Sequence, residues 1–429
     1  MEKIDVVIVG GGLSGLSCAY KLADQGMQVV VVERGDFPGS KNVTGGRLYL
    51  KPIAELAGDM LDNAPFERKV VRERWGVLGK DSSIGIDFTG ERFRKEDHSF
   101  TVLRARFDRW LADRLMEKGV FVIPKYRVDD LLWEEESVAG IKAGGEEIYA
   151  NVVVAADGVL SFTAEKAGLK PRMNAKSYAV GIKEVIELSE EKIEDRFNID
   201  RGEGCAHLFL GDVTQGLFGG GFLYTNKETV SLGVVVGIEA LTKKSPSMEV
   251  HGLIDTFKDR HEIRKLIEGG AIGEYSAHII PESGYNGISK LYGKGILVTG
   301  DAAGFALNMG VTVRGMEFAI ASGIMAAETI MEAKGRDDYS EQSLASYEKK
   351  LKESFVLKDL YNCRDMPEYL DDGDFFSLYP QTLPALVERV MWFGREPKEK
   401  LGKTLWDGMK QAGFLSFKRL KKLYGIKNL

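Results

Sequence analysis

The chain is predicted to fold as an α/β protein. It reads as a Rossmann-type nucleotide-binding domain with an inserted antiparallel β-sheet domain and a helical C-terminal region. Three observations predict this. A strand–helix–strand pattern with a glycine-rich turn opens the sequence, a middle stretch switches to alternating and β-branched segments, and "GILVTGDAAG" near residue 300 returns to the parallel type. The nucleotide-binding domain is therefore discontinuous. Its two parts are residues 1–172 and 286–335, the inserted domain covers 173–285, and the helical region covers 336–429.

Taken in order, "IDVVIV", "SGLSCAYKLADQG" and "MQVVVVE" form a βαβ unit whose crossover implies parallel pairing. The loop "GDFPGSKNVTGGRLYL" (35–50) follows, too irregular for a helix or a strand. In 101–120 an apolar residue recurs every three or four positions, which predicts a helix. A hairpin-like region then ends in "NVVVAAD" (151–157). The segments "YAVGIKEVIEL", "GGGFLYTNKETVSLGVVVGI" and "YSAHIIP" predict an antiparallel sheet, and "VRGMEFAIASGIMAAETIMEA" predicts a long helix.

Composition excludes several classes. A net charge of −6 over 429 residues argues against nucleic acid as a main partner. No apolar run approaches the ~20 residues that span a bilayer, and the N-terminus enters a strand without signal-peptide architecture. Cys18, Cys205 and Cys363 match no disulfide or metal spacing. They suit a reducing, cytoplasmic setting and leave no iron–sulfur cluster to this chain alone. His98, His207, His251, His261 and His278 show no ligand spacing and read as structural or surface histidines.

The chemistry begins at Gly10, Gly12 and Gly15, a G-x-G-x-x-G between strand and helix. Its glycines allow a tight turn, backbone approach to a pyrophosphate, and a helix N-terminus aimed at the phosphates. Glu33 ends the second strand, 18 residues after Gly15, where a carboxylate takes up ribose hydroxyls; Arg34 follows it. Two later segments, "AADGVLS" around Asp157 and Gly158 and "VTGDAAGF" around Asp301, resemble the second and third signatures of glutathione-reductase-type FAD proteins. That resemblance implies FAD as cofactor, with Asp301 on the ribityl chain. It also makes Arg104, at the start of "RARFDRWL", a cofactor contact. No second glycine fingerprint follows, which makes electron delivery by another protein more attractive than by a nicotinamide.

Five segments resemble the FixC-type relatives of electron-transfer-flavoprotein:quinone oxidoreductase. They are "ERGDFPGSKNVTGGRLY", "RARFDRWL", "VGIKEVIEL", "EYSAHIIPESGY" and "GDAAGFALNMGVTVRGMEFAIASG". The resemblance implies an FAD that accepts electrons from a two-subunit electron-transfer flavoprotein and passes them to quinone. The fused oxidoreductases carry a four-cysteine [4Fe–4S] domain that this sequence lacks. The resemblance then implies a separate ferredoxin-like iron–sulfur subunit and an assembly capable of electron bifurcation, with the bifurcating step in the partner flavoprotein. It places Lys41, Asn42, Gly45 and Gly46 against FAD, and Gly310, Val311 and Thr312 beside the flavin ring at the start of the late helix. Tyr285, Phe305 and Met309 mark an apolar surface for quinone.

Residues 398–429 hold nine Lys/Arg against Glu399 and Asp407, a local balance of +7, with Trp406, Phe414 and Phe417 interleaved. This pattern suits a peripheral contact with an anionic cytoplasmic membrane face or an acidic partner. Two alternatives stay open: a geranylgeranyl-reductase-like enzyme that reduces prenyl double bonds, and an FAD scaffold that does not turn over.

Overall fold

A computed structural model describes residues 3–42, 46–170, 174–244, 248–414, 416 and 419. Gly45, Phe417 and most of the basic residues after 414 lie outside the described residues.

The chain opens with β1 (Ile4–Val9), the helix Leu13–Ala23 and β2 (Val29–Val32), and the two strands pair in parallel. Both are buried on both faces, which is why they read as unbroken valine and isoleucine runs rather than alternating ones. Next come β3 (Gly46–Tyr49), β4 (Lys69–Leu78), β5 (Ser83–Thr89), β6 (Ser99–Val102), the helix Arg104–Glu117 and β7 (Phe121–Ile123). A meander of β8 (Val128–Glu134), β9 (Ser137–Ala143) and β10 (Glu146–Ala155) follows; β10 pairs antiparallel with β9 at one end and parallel with β1 at the other.

The middle of the chain supplies β11 (Tyr178–Glu187), β12 (Glu203–Gly211), β13 (Gly219–Thr225), β14 (Thr229–Gly237), the helix Val250–Asp259 and β15 (Ala271–Pro281). It then returns through β16 (Tyr292–Gly293) and β17 (Ile296–Val298), makes a small hairpin of β18 (Leu307–Asn308) and β19 (Val313–Arg314), and enters the helix Met316–Arg336. Helices fill the rest of the described chain, among them Leu378–Met391 and Leu401–Gln411.

Among the described residues these strands form two large sheets. The first runs β16-β17-β10-β1-β2-β7, with β8 and β9 attached through β10. The second runs β15-β11-β14-β13-β12-β4-β6-β3, with β5 on the edge of β4. Four strands of this second sheet come from residues 46–102, a stretch grouped by sequence with the nucleotide-binding part. These strands carry charge on their outer positions: Arg72 and Arg74 of β4 meet Asp87 of β5 at 2.5 and 3.0 Å. Such amphipathic segments do not stand out as apolar runs.

Each sheet has its own core. One joins β1, β2, β10 and β17 to the helices Leu13–Ala23, Arg104–Glu117 and Met316–Arg336. The other packs one face of the second sheet against Phe197, Leu253, Ile254 and Phe257. Strand side chains alternate with a period of two. Phe209, Leu223 and Val234 therefore enter that core, while Leu208, Leu210, Phe222, Tyr224 and Val235 line a cavity on the opposite face.

The late helix begins at Met316, not at Gly310. Gly310 has φ +75°, in the left-handed region, and sits in the turn of the β18–β19 hairpin. A glycine there closes the hairpin and cannot start a helix, so Gly310, Val311 and Thr312 form a hairpin tip.

Candidate functional site

A cavity of ≈ 1120 Å³ runs between the glycine turn after β1 and the open face of the second sheet. At the glycine turn, Gly10 has φ +111°, and a Cβ there would meet Ala156 O at 2.3 Å. This position admits only glycine. Gly12 is the N-cap of the helix Leu13–Ala23 and offers no side-chain cap, and a Cβ on it would meet nothing within 4 Å. The first N–H groups of that helix thus face open space, an arrangement that receives phosphate. Gly15 lies behind the turn, where a Cβ would meet Gly10 O at 2.1 Å, so it serves packing.

The buried Glu33 carboxylate spans the turn and the next loop, accepting from Gly11 N–H at 2.8 Å and Gly35 N–H at 2.5 Å. Arg34 and Lys41 line the same wall. Gly39 has φ +93°, and a Cβ there would press on Asp108 Cβ at 2.8 Å, so the loop lies directly on the first turn of the helix Arg104–Glu117.

That contact brings two sequence-predicted residues together through a third. Asp108 is fully buried and takes Arg104 in a bidentate pair at 2.9 and 2.8 Å. It also accepts from Asn42 Nδ2 at 2.7 Å. Arg104 and Asn42 both line the cavity and are both held there by Asp108, which sequence reasoning missed. The i,i+4 spacing of Arg104 and Asp108 was the available signal.

Asp157 uses its carboxylate locally, accepting from Ser161 Oγ at 2.7 Å and Thr163 N–H at 3.0 Å. Gly158 beside it has φ +79° and open space where a Cβ would stand. Asp301 follows β17 in a short 3-10 turn and lines the cavity. Burial pushes its carboxyl up from the ordinary range, opposed by His278, Arg104 and Lys170. His278 lies on β15 opposite Gly181 and also lines the cavity. Burial holds it below its ordinary value, against the pull of Asp301.

Gly46, Gly310 and Val311 border the cavity as well. Val311 O accepts from Trp75 Nε1 at 2.9 Å, and Thr312 Oγ1 turns to the Tyr49 hydroxyl. Of the three residues expected to mark an apolar quinone surface, Met309 lines the cavity. Phe305 is fully buried in the core, and Tyr285 packs edge-on against Tyr361 at 5.3 Å. Neither belongs to the cavity wall. Apolar periodicity alone cannot tell a wall from a core.

This wall fits a dinucleotide cofactor. It offers a helix N-terminus with open space before it, a carboxylate at the end of β2, and Arg104 and Lys41 for anionic groups. The volume lies just above the ~300–1,000 Å³ usual for one small ligand. Among the described residues no cluster of His, Cys, Asp and Glu could hold a metal ion. Cys18 and Cys205 are buried in separate cores.

Comparison with known proteins agrees with this geometry. Residues 5–89 match the FAD dependent oxidoreductase family model, and residues 178–280 match the model for the ubiquinone-binding part of ETF-QO. The chain is 41% identical over 416 residues to YdiS of Escherichia coli strain K12, a "probable electron transfer flavoprotein-quinone oxidoreductase"; the match covers 97% of this chain and 96% of YdiS. It is equally similar to protein FixC of the same strain, at 41% with the same coverage. Among solved structures, a geranylgeranyl bacteriochlorophyll reductase-like protein from Thermoplasma acidophilum matches with TM-score 0.74 and 22% identity over 100% of both chains. That likeness concerns the fold. The cofactor is FAD.

Proposed function

The chain belongs to the FixC and YdiS family of FAD-dependent, electron-transfer-flavoprotein:quinone oxidoreductase-like enzymes, and from that premise we propose that it takes electrons from an electron-transfer flavoprotein and delivers them to a membrane quinone. One observation carries this reading. A single cavity joins the dinucleotide turn to the face of the sheet built by residues 178–280, the segment that matches the ubiquinone-binding model. FAD bound at the turn and an apolar acceptor against the sheet would then share one cavity.

FAD supplies reversible storage of electrons when bound. This chain's residues hold and orient it. The N-terminus of Leu13–Ala23, with Gly10 and Gly12, would receive the pyrophosphate, and Glu33 would take the ribose. Arg104, Asn42, Lys41, Gly46 and Asp301 would hold the middle of the molecule, and the Gly310–Thr312 hairpin would lie by the ring. Phe222 and Tyr224 of β13 and Val235 of β14 would form the apolar wall against the acceptor.

The acceptor side implies a membrane. Among the described residues no helix is long and apolar enough to cross one. Met391, Trp392 and Phe393 nevertheless stand 68%, 72% and 73% exposed at the end of Leu378–Met391, beside Arg389, Arg395, Lys398 and Lys400. This basic aromatic edge suits the interfacial region of an anionic bilayer. In this reading an iron–sulfur centre belongs to a separate ferredoxin-like subunit and bifurcation to the partner flavoprotein; the three dispersed cysteines support the first of these.

The test is direct. FAD-loaded protein mixed with reduced electron-transfer flavoprotein and a soluble ubiquinone analogue should form quinol with turnover. Saturation of a prenyl double bond without quinol formation would move the assignment to a prenyl reductase.

A further inference from the structure

Where β15 ends, the acidic side chain of Glu282 stands among apolar residues of the cavity wall. Its backbone N–H donates to Ser177 O at 2.9 Å, which fixes the residue beside the sheet. Its carboxylate accepts from Asn308 Nδ2 at 3.1 Å. The Asn308 amide has only one orientation, because its Oδ1 accepts from Gly310 N–H at 2.9 Å and an N–H needs an oxygen to receive it. Ile280, Pro281, Met309, Met366, Leu370 and Phe376 line the same cavity.

Among the described residues Asn308 is the only side-chain donor to this carboxyl. Charged groups on neighbouring elements are engaged elsewhere: Lys176 with Asp371 at 2.9 Å, and Arg314 with Glu317 and Asp359, each at 2.6 Å. Arg104, Asp301 and His278 influence one another elsewhere in the cavity. A carboxyl in an apolar wall with no counter-charge resists ionisation. Burial pushes Glu282 up to about 7, with the Asn308 hydrogen bond opposing. Packing gives no reason for such a group, and it does not suit a phosphate.

We propose that Glu282 exchanges protons with the quinone in this cavity, relaying them from solvent to the quinone oxygens. The inference rests on the quinone reading above. Reducing a quinone to a quinol takes two electrons, supplied by the reduced flavoprotein donor, and two protons. The carboxyl O–H breaks as an O–H forms on one quinone oxygen. The carboxylate, held by the Asn308 N–H, takes a proton from water and passes it to the second oxygen. One further proton from water restores the acid, and the quinol departs. General acid–base help of this kind is worth about 10²–10⁴ in rate, most when the group titrates near the working pH.

The experiment compares full-length FAD-loaded wild type, Glu282→Gln and Glu282→Asp, reduced by electron-transfer flavoprotein. Two acceptors are used: a soluble ubiquinone analogue, and ferricenium, which accepts an electron without a proton. For Glu282→Gln, quinone turnover should fall about 10²–10⁴-fold and lose its pH inflection, while ferricenium reduction stays within about twofold. Glu282→Asp should recover part of the loss. Independently of turnover, infrared titration should show a carboxylic C=O band of wild type fading around pH 7 and missing in Glu282→Gln. Wild-type quinone turnover in Glu282→Gln, an equal loss with both acceptors, or no such band would overturn the proposal alone. A wild type that reduces ferricenium but no quinone would overturn the quinone reading and this proposal with it.

Discussion

Asp108 sets two cavity-facing side chains with one carboxylate. It receives three hydrogen bonds from Arg104 and Asn42 while fully buried, so each of them reaches the cavity in a single orientation. Charge-assisted hydrogen bonds of this type contribute ~1.5–3 kcal/mol. Asp108→Asn keeps the shape and removes the charge, so FAD binding should weaken by about 10–100-fold, read by titrating apoprotein with FAD and following flavin fluorescence. An unchanged dissociation constant would make Asp108 a packing residue only. Arg104 and Asn42 were legible through family segments. Asp108 was not, because an i,i+4 Arg–Asp pair on a helix is ordinarily a solvated surface pair. The loop held at Gly39 lies against it. His278 escaped for a related reason: register on β15 decides which face a side chain takes.

At the scale of elements, the two halves of the second sheet are tied at Arg68. This guanidinium is 1% exposed. It donates to Asn226 O at 2.7 Å, Glu203 O at 3.0 Å and Lys227 O at 3.1 Å, and pairs with Glu194 at 3.1 Å. It therefore joins the start of β4 to β12 and to the β13–β14 turn. Arg68→Ala would leave those carbonyls without their donor and open a cavity, destabilising the fold by about 3–5 kcal/mol. Urea unfolding followed by far-UV circular dichroism should show that loss, and a change below about 1 kcal/mol would refute the tie. The parallel strands around β1 and the antiparallel set from 178 to 281 were readable from periodicity, since both are apolar on at least one face. Strands β3 to β6 were not, and neither was the β18–β19 hairpin, whose two-residue strands are too short to show a period.

For the molecule as a whole, the reading requires a flavin cavity presented to a bilayer, with the exposed edge around Trp392 as the contact. Trp392→Ala combined with Phe393→Ala removes two interfacial aromatics, each worth ~1.5–3 kcal/mol when buried. Binding to anionic vesicles in a flotation assay should drop by at least about tenfold, with FAD content unchanged. Retained binding would place the contact elsewhere. The charge asymmetry near the C-terminus was visible in the sequence. Which aromatics face outward was not, because Phe414 packs against Tyr379 with ring centroids 4.8 Å apart while Trp392 and Phe393 stay exposed.

By itself the sequence determined the α/β class, the dinucleotide turn at Gly10–Gly15 and the FixC-like identity. These depend on turn chemistry, periodicity and short segments, all local in the chain. Tertiary structure alone decided how Glu33, Arg104, His278, Asp301 and Glu282 come to line one cavity. Those residues are scattered from position 33 to 301, and strand register and loop packing bring them together. The same packing put Phe305 in the core and left Glu282, an unremarked acid in "IIPESGY", in the cavity wall with Asn308 as its partner.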